Sequence, residues 1–154
     1  MSKIEVVKGF TENASATLDA KGRCSLPKDL RKFLKDDNHG EIVIALSYDK
    51  TLTIFPALEW NNHVAKLEKR AHGSKGRMLA YQAYMKFSSV QKLDGQSRFT
   101  INKDLLSKVG IEKEIFFIGA NQTILAMNQT EFDRRSEPDL DTFEDLLIFD
   151  EDDD

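Results

Sequence analysis

The alternation of apolar and polar side chains changes period several times along this chain, and each change predicts an element. Ala16 to Leu18 begins a short strand. Asp19-Ala20-Lys21-Gly22 carries turn chemistry, because an aspartate can bond its own backbone and glycine accepts a positive φ. Arg23 to Leu26 alternates polar and apolar, as a half-buried strand does. Pro27 suits a first helical position and Asp29 a first turn, so a short helix follows with Leu30, Phe33 and Leu34 on its apolar face. Asp36 to Gly40 is a loop, and Glu41–Leu46 with Thr51–Phe55 predict a hairpin around Ser47-Tyr48-Asp49-Lys50. Pro56 then opens a helix with Leu58, Val64 and Leu67 on one face. His72-Gly73-Ser74-Lys75-Gly76 breaks it before a second helical stretch carrying Met78, Leu79, Tyr81, Ala83 and Met85.

The same order of signals then returns. Gln91 to Leu105 repeats the strand, turn, strand and helix start, sharing Leu-Asp, an arginine four residues after the aspartate, and later Lys-Asp-Leu. Asn102 can cap the helix Lys103 to Val109, with Gly110 ending it. Glu114–Ile118 and Thr123–Met127 predict a second hairpin, and Asn128 to Glu131 one more helical turn. The chain therefore divides into a first repeat at 13–59, a helical connector at 60–87, a second repeat at 88–131 and a tail at 132–154. A repeat of about 45 residues buries too little apolar surface to be stable alone, so the copies are expected to pack together or with other chains.

Charge changes that picture. The 154 residues carry a net charge of −4, yet residues 137–154 hold ten acidic side chains and no Lys or Arg. Without them, 22 basic face 16 acidic side chains, a net of +6 for the body. The tail is expected to be disordered, with a short amphipathic stretch at Phe143 and Leu146 to Phe149. It can be a solvated tail, a cover for basic loops, or a handle for a partner protein. The single cysteine, Cys24, cannot close an internal disulfide, which fits a reducing compartment. No apolar run is long enough to span a bilayer, so no membrane partner is expected. His39, His63 and His72 lack metal-ligand spacing, and Ser25 and Gly73-Ser74-Lys75-Gly76 lack the patterns of a nucleophile elbow and a phosphate loop. The sequence thus predicts neither an enzyme nor a cofactor nor a small-molecule substrate.

Leu18-Asp19-Ala20-Lys21-Gly22-Arg23, Leu26-Pro27 and Leu30-Arg31, followed by Phe55-Pro56 and Glu59-Trp60, closely resemble the MraZ family over roughly Asn13 to Asp133. The resemblance implies an α+β fold of two pseudo-symmetric, swapped-hairpin β-barrel units of the SpoVT-AbrB type, joined by the helical connector. It also implies a cytoplasmic, nucleoid-associated regulator of transcription. Such a regulator forms ring-like homo-oligomers and binds repeated elements in double-stranded promoter DNA, including that of its own cell-division and cell-wall gene cluster. Three positions depart from the family pattern: Ser97 where glycine is usual, Asn102 where proline is frequent, and Met127 where tryptophan is common.

Within that frame Arg23 is the candidate base reader, since a bidentate arginine–guanine contact discriminates by about 1–3 kcal/mol. Lys21, Lys28 and Arg31 are candidate phosphate contacts, which set register without reading bases. Asp19 and Gly22 shape the turn. The residues alone equally allow an Asp19–Arg23 pair that merely closes it, and the two roles are compatible. Arg98, with Asp94 as its turn aspartate, is the second candidate, but Gln96 and Ser97 replace Lys21 and Gly22 beside it. The rival class is an AbrB-like antitoxin or interaction module acting through the acidic tail.

Overall fold

Each copy of the motif opens with a strand that pairs outside its own copy, and this exchange sets the architecture. The computed structural model describes residues 13–31, 34, 40–135 and 137–148. The first copy supplies β1 (Asn13–Thr17), β2 (Arg23–Ser25), α1 (Lys28–Arg31), β3 (Glu41–Leu46) and β4 (Leu52–Pro56). Two helices connect it to the second, α2 (Ala57–Ala71) and α3 (Lys75–Lys86). The second copy supplies β5 (Ser89–Lys92), β6 (Arg98–Thr100), α4 (Lys103–Lys108), β7 (Glu114–Ala120), β8 (Thr123–Met127) and α5 (Gln129–Arg135), and α6 (Leu140–Leu147) lies in the tail.

The α+β class holds. In place of two separate barrels, both copies build one antiparallel sheet in the order β1-β7-β8-β4-β3-β5 and a two-stranded ribbon, β2-β6. The order reads the same from either edge once the copies are exchanged, so the two halves are related by a pseudo-two-fold between β8 and β4. β1 of the first copy pairs with β7 of the second, with Ala14 opposite Phe117. β5 of the second pairs with β3 of the first, with Val43 opposite Val90. β1 and β5 are the edges of the sheet, which does not close on itself among the described residues.

Burial explains the exchange. Ile42 and Ile44 of β3, Leu52 and Ile54 of β4, Ile115 and Phe117 of β7 and Ile124 and Ala126 of β8 share one core with Leu18, Leu26, Leu30, Ile101 and Leu105 from the turn units. A fully buried aliphatic or aromatic side chain contributes about 1.5–3 kcal/mol, so this shared layer far outweighs any surface ion pair. Neither copy could assemble it alone. Val43, Ala45 and Phe55 point to the opposite face and meet Trp60 of α2, with Val64, Tyr84 and Met85 around them.

Local expectations are met where chemistry is local. Asn102 Oδ1 accepts from the Asp104 backbone N–H at 2.7 Å and caps α4, and Gly110 (φ 63°) follows its end. Asn128 Oδ1 accepts from Glu131 N at 2.8 Å at the start of α5. Asp49 and Lys50 both adopt positive φ in the β3–β4 turn, which matches the twist of the strands it joins. The first strand runs Asn13–Thr17 rather than from Ala16, and β4 ends on Pro56 rather than Phe55. The face of α2 differs too. Leu58 is exposed, and Trp60 and Ala71 are the buried positions, because the helix leans on Phe55 rather than along Leu58. The tail, expected to be disordered, holds α6 between an Asp139 cap and Ile148. The lead-in before Asn13, Phe33 and His39 lie outside the described residues.

Candidate nucleic-acid interface

The turn at Asp19 is built by one carboxylate. Its Oδ1 accepts from the backbone N–H groups of Lys21 and Arg23, both at 2.9 Å, and its Oδ2 accepts from Arg23 Nε at 2.8 Å. The backbone closes the loop, with Asp19 N donating to Arg23 O at 2.9 Å and Gly22 N to Asp19 O at 3.0 Å. The backbone and side-chain donors of Arg23 hold the Asp19 carboxyl down at about 2. Gly22 sits at φ 82°, and a Cβ there would lie 2.5 Å from the Ile101 carbonyl oxygen. Ile101 N donates back to Gly22 O at 2.9 Å, so the first turn is pressed against the second copy's chain.

The second turn reproduces this bond for bond. Asp94 Oδ1 accepts from Gln96 N at 2.8 Å and Arg98 N at 2.9 Å, and its Oδ2 accepts from Arg98 Nε at 2.7 Å. Leu26 N donates to Ser97 O at 2.9 Å, the counterpart of the Ile101–Gly22 bond. Hydrogen bonds from Arg98 also lower the Asp94 pKa. The expected Asp–Arg pair is therefore present in both copies. Exposed pairs of this kind add little stability, so fixing the arginine is the larger consequence. Each arginine spends its Nε on the aspartate, and among the described residues no hydrogen bond takes its terminal nitrogens.

Sequence reading found both arginines but not their meeting. In the β2–β6 ribbon Arg23 lies opposite Thr100, Cys24 opposite Phe99 and Ser25 opposite Arg98. Cys24 and Phe99 point inward and are buried, so Arg23, Ser25, Arg98 and Thr100 share the outer face. Arg23 and Arg98 are then diagonal cross-strand neighbours, a spacing of roughly 7–8 Å. Lys21 is exposed on the first turn and Lys28 at the start of α1. Arg31 closes α1, and its side chain lies outside the described residues. Lys103, exposed at the start of α4, is the second copy's equivalent of Lys28 and was missed. The constant offset that carries Asp19 to Asp94 would have found it.

Residues 10–82 match a family model described as "MraZ protein, putative antitoxin-like". A protein of Paraburkholderia phytofirmans named "Transcriptional regulator MraZ" is 32% identical over 113 residues, covering 71% of this chain and 75% of that one. One of the same name from Phocaeicola vulgatus is 30% identical over 117 residues, covering 75% and 76%. Another, from Saccharophagus degradans, is 28% identical over 111 residues, covering 71% and 76%. The chain belongs to the MraZ family. The stretch matched by the MraZ model contains the Lys21-Gly22-Arg23 turn, and the Gln96-Ser97-Arg98 turn lies outside it.

Cys24 and His63 are held by packing. Burial, with the Asp19 carboxylate adding to it, pushes the Cys24 thiol up to about 12, so it stays an inert thiol in the ribbon's inner face. His63 stacks on Phe55 at 4.8 Å, and its Nε2 lies 3.0 Å from the Tyr84 hydroxyl. Burial lowers its pKa below the ordinary histidine range. Among the described residues no group of His, Cys, Asp and Glu could hold a metal ion, and no helix is long and apolar enough to cross a membrane.

Proposed function

We propose that this chain, a member of a family whose named relatives are transcriptional regulators, binds repeated elements in double-stranded promoter DNA through the outer face of the β2–β6 ribbon. One observation carries the reading: a pseudo-two-fold ribbon presents Arg23 and Arg98 side by side, each fixed by its own aspartate. A major groove roughly 12 Å wide admits a two-stranded ribbon. Arg23 reads base edges with its terminal nitrogens, and Lys21, Lys28, Arg31 and the newly placed Lys103 contact phosphates. Asp19 and Asp94 pre-set the arginines, and Gly22 allows the close approach of the first turn. The repeats at 13–59 and 88–131, with the connector at 60–87, act as two interleaved, barrel-like halves of one reading unit. Several units in a ring-like homo-oligomer engage several DNA repeats at once, which multiplies affinity without new contacts. Such a protein works in the cytoplasm at the nucleoid and regulates its own cell-division and cell-wall cluster.

Gel-shift titration against the DNA upstream of its own gene tests this. Binding should tighten with the number of repeats and fall steeply as salt rises, because each neutralised phosphate releases counterions. Binding that ignores salt, or that is equal for scrambled repeats, would overturn it.

A further inference from the structure

Two surfaces stand uncovered by the described residues, and their chemistry is complementary. The first is α6. Every described residue from Glu137 to Ile148 is exposed, including Leu140, Phe143, Leu146, Leu147 and Ile148. Leu140, Phe143 and Leu147 recur at helical spacing and form one apolar stripe, with Leu146 beside it at 71% exposure. The charge on the helix is all acidic: Asp139 caps it, and Asp141, Glu144 and Asp145 flank the stripe with no Lys or Arg. A short helix holding its apolar face to water has little reason to persist alone, since most helical stability comes from packing such a face.

The second surface is a cleft of about 530 Å³ between the outer face of the β3–β4 hairpin and the α2–α3 pair. Tyr48, Phe55, Leu67 and Tyr81 give it apolar walls, and Arg70 and Arg77 line it with positive charge. Neither arginine has an ionic partner among the described residues. α3 carries Met78, Leu79, Tyr81, Tyr84 and Met85, yet none of its residues is buried, and Leu79 is 59% exposed. Together α2 and α3 hold six Lys and Arg against two Glu.

We propose that α6 of one chain docks into the α2–α3 cleft of a second copy. The apolar stripe enters between Tyr48, Leu67 and Tyr81, and the flanking carboxylates meet Arg70 and Arg77. The charge match fixes the occupant: an acidic, apolar helix fits a basic, apolar slot. Among the described residues of one chain the helix and the slot both stand open, so a second copy satisfies both at once. Such a contact is heterologous, helix of one subunit to cleft of the next, and it closes into a ring when the rotation allows. This contact is independent of the DNA-reading face.

Co-expression of two differently tagged full-length chains, one Phe143→Cys and one Tyr81→Cys, tests the contact. A disulfide-linked heterodimer should form under mild oxidation, and pairing Phe143→Cys with Ser107→Cys, exposed on α4 across the sheet from the cleft, should give none. Disulfide formed chiefly within a chain carrying both Phe143→Cys and Tyr81→Cys, or no enrichment over the Ser107 control, would overturn the proposal. Trp60, the single tryptophan, lies 5.8 Å from Tyr84 of the cleft wall and serves as an independent reporter. A synthetic peptide of residues 137–148 added to the protein lacking 137–154 should shift Trp60 emission saturably. Arg70→Glu with Arg77→Glu should weaken that binding at least tenfold while circular dichroism shows the fold intact. An unchanged emission, or equal binding to the charge-reversed protein, would count against the docking.

Discussion

The turns at Asp19 and Asp94 have the same skeleton and different surroundings. Each aspartate accepts the same three hydrogen bonds, and each arginine is held through Nε. What differs is the side chains around that skeleton. Lys21 becomes Gln96, Gly22 becomes Ser97, and the position of Arg31 in α1 is taken in α4 by buried Leu106. The second turn is instead tied down internally. Gln91 of β5 accepts from Thr100 N at 2.8 Å and donates to Thr100 O, where the first copy has Ala16. One geometry has thus been kept for two purposes, cationic reach in the first copy and anchoring in the second. Geometry fixes where an arginine points, while the charge around it differs between the two turns.

The largest effect separating the turns falls on the backbone. Gly22→Ala forces a Cβ to within 2.5 Å of the Ile101 carbonyl oxygen at φ 82° and should cost about 2 kcal/mol or more in urea unfolding. Ser97 already occupies φ 57° as a non-glycine residue, so Ser97→Ala should be nearly neutral and Ser97→Gly should stabilise by about 0.5–1 kcal/mol. Equal losses for Gly22→Ala and Ser97→Ala would show that the two turns are not differently constrained. A smaller effect lies in acid. The Asp19 carboxyl titrates at about 2 in the folded chain against 3.8 ordinarily. Its contribution is therefore complete above 3.8 and lost as pH falls toward 2, a drop that Asp19→Asn should flatten in stability profiles.

The sequence made the local grammar of this fold legible, because turns, caps and strand alternation are written in neighbouring residues. Asp19, Gly22, Asn102 and Asn128 all take the roles their types predict. Pairing was not legible. Nothing within Arg23–Ser25 says that its partner is Arg98–Thr100, since strand register between distant segments depends on the whole core. The candidate site was found as two separate arginines for that reason, and their shared face came only from the ribbon. Leu58 misled because an apolar residue at helical spacing faces inward only if something packs there, and Phe55 drew the helix toward Trp60 instead.

The central claim is that the ribbon reads DNA as an unequal pair, and affinity for repeated upstream DNA of Arg23→Ala and Arg98→Ala at matched salt tests it most directly. Both side chains are exposed, so both variants should keep their fold and assembly. The account predicts a loss of about tenfold to a hundredfold in specific binding for Arg23→Ala and a clearly smaller loss for Arg98→Ala. Parental binding by Arg23→Ala, or a larger loss from Arg98→Ala, would contradict it.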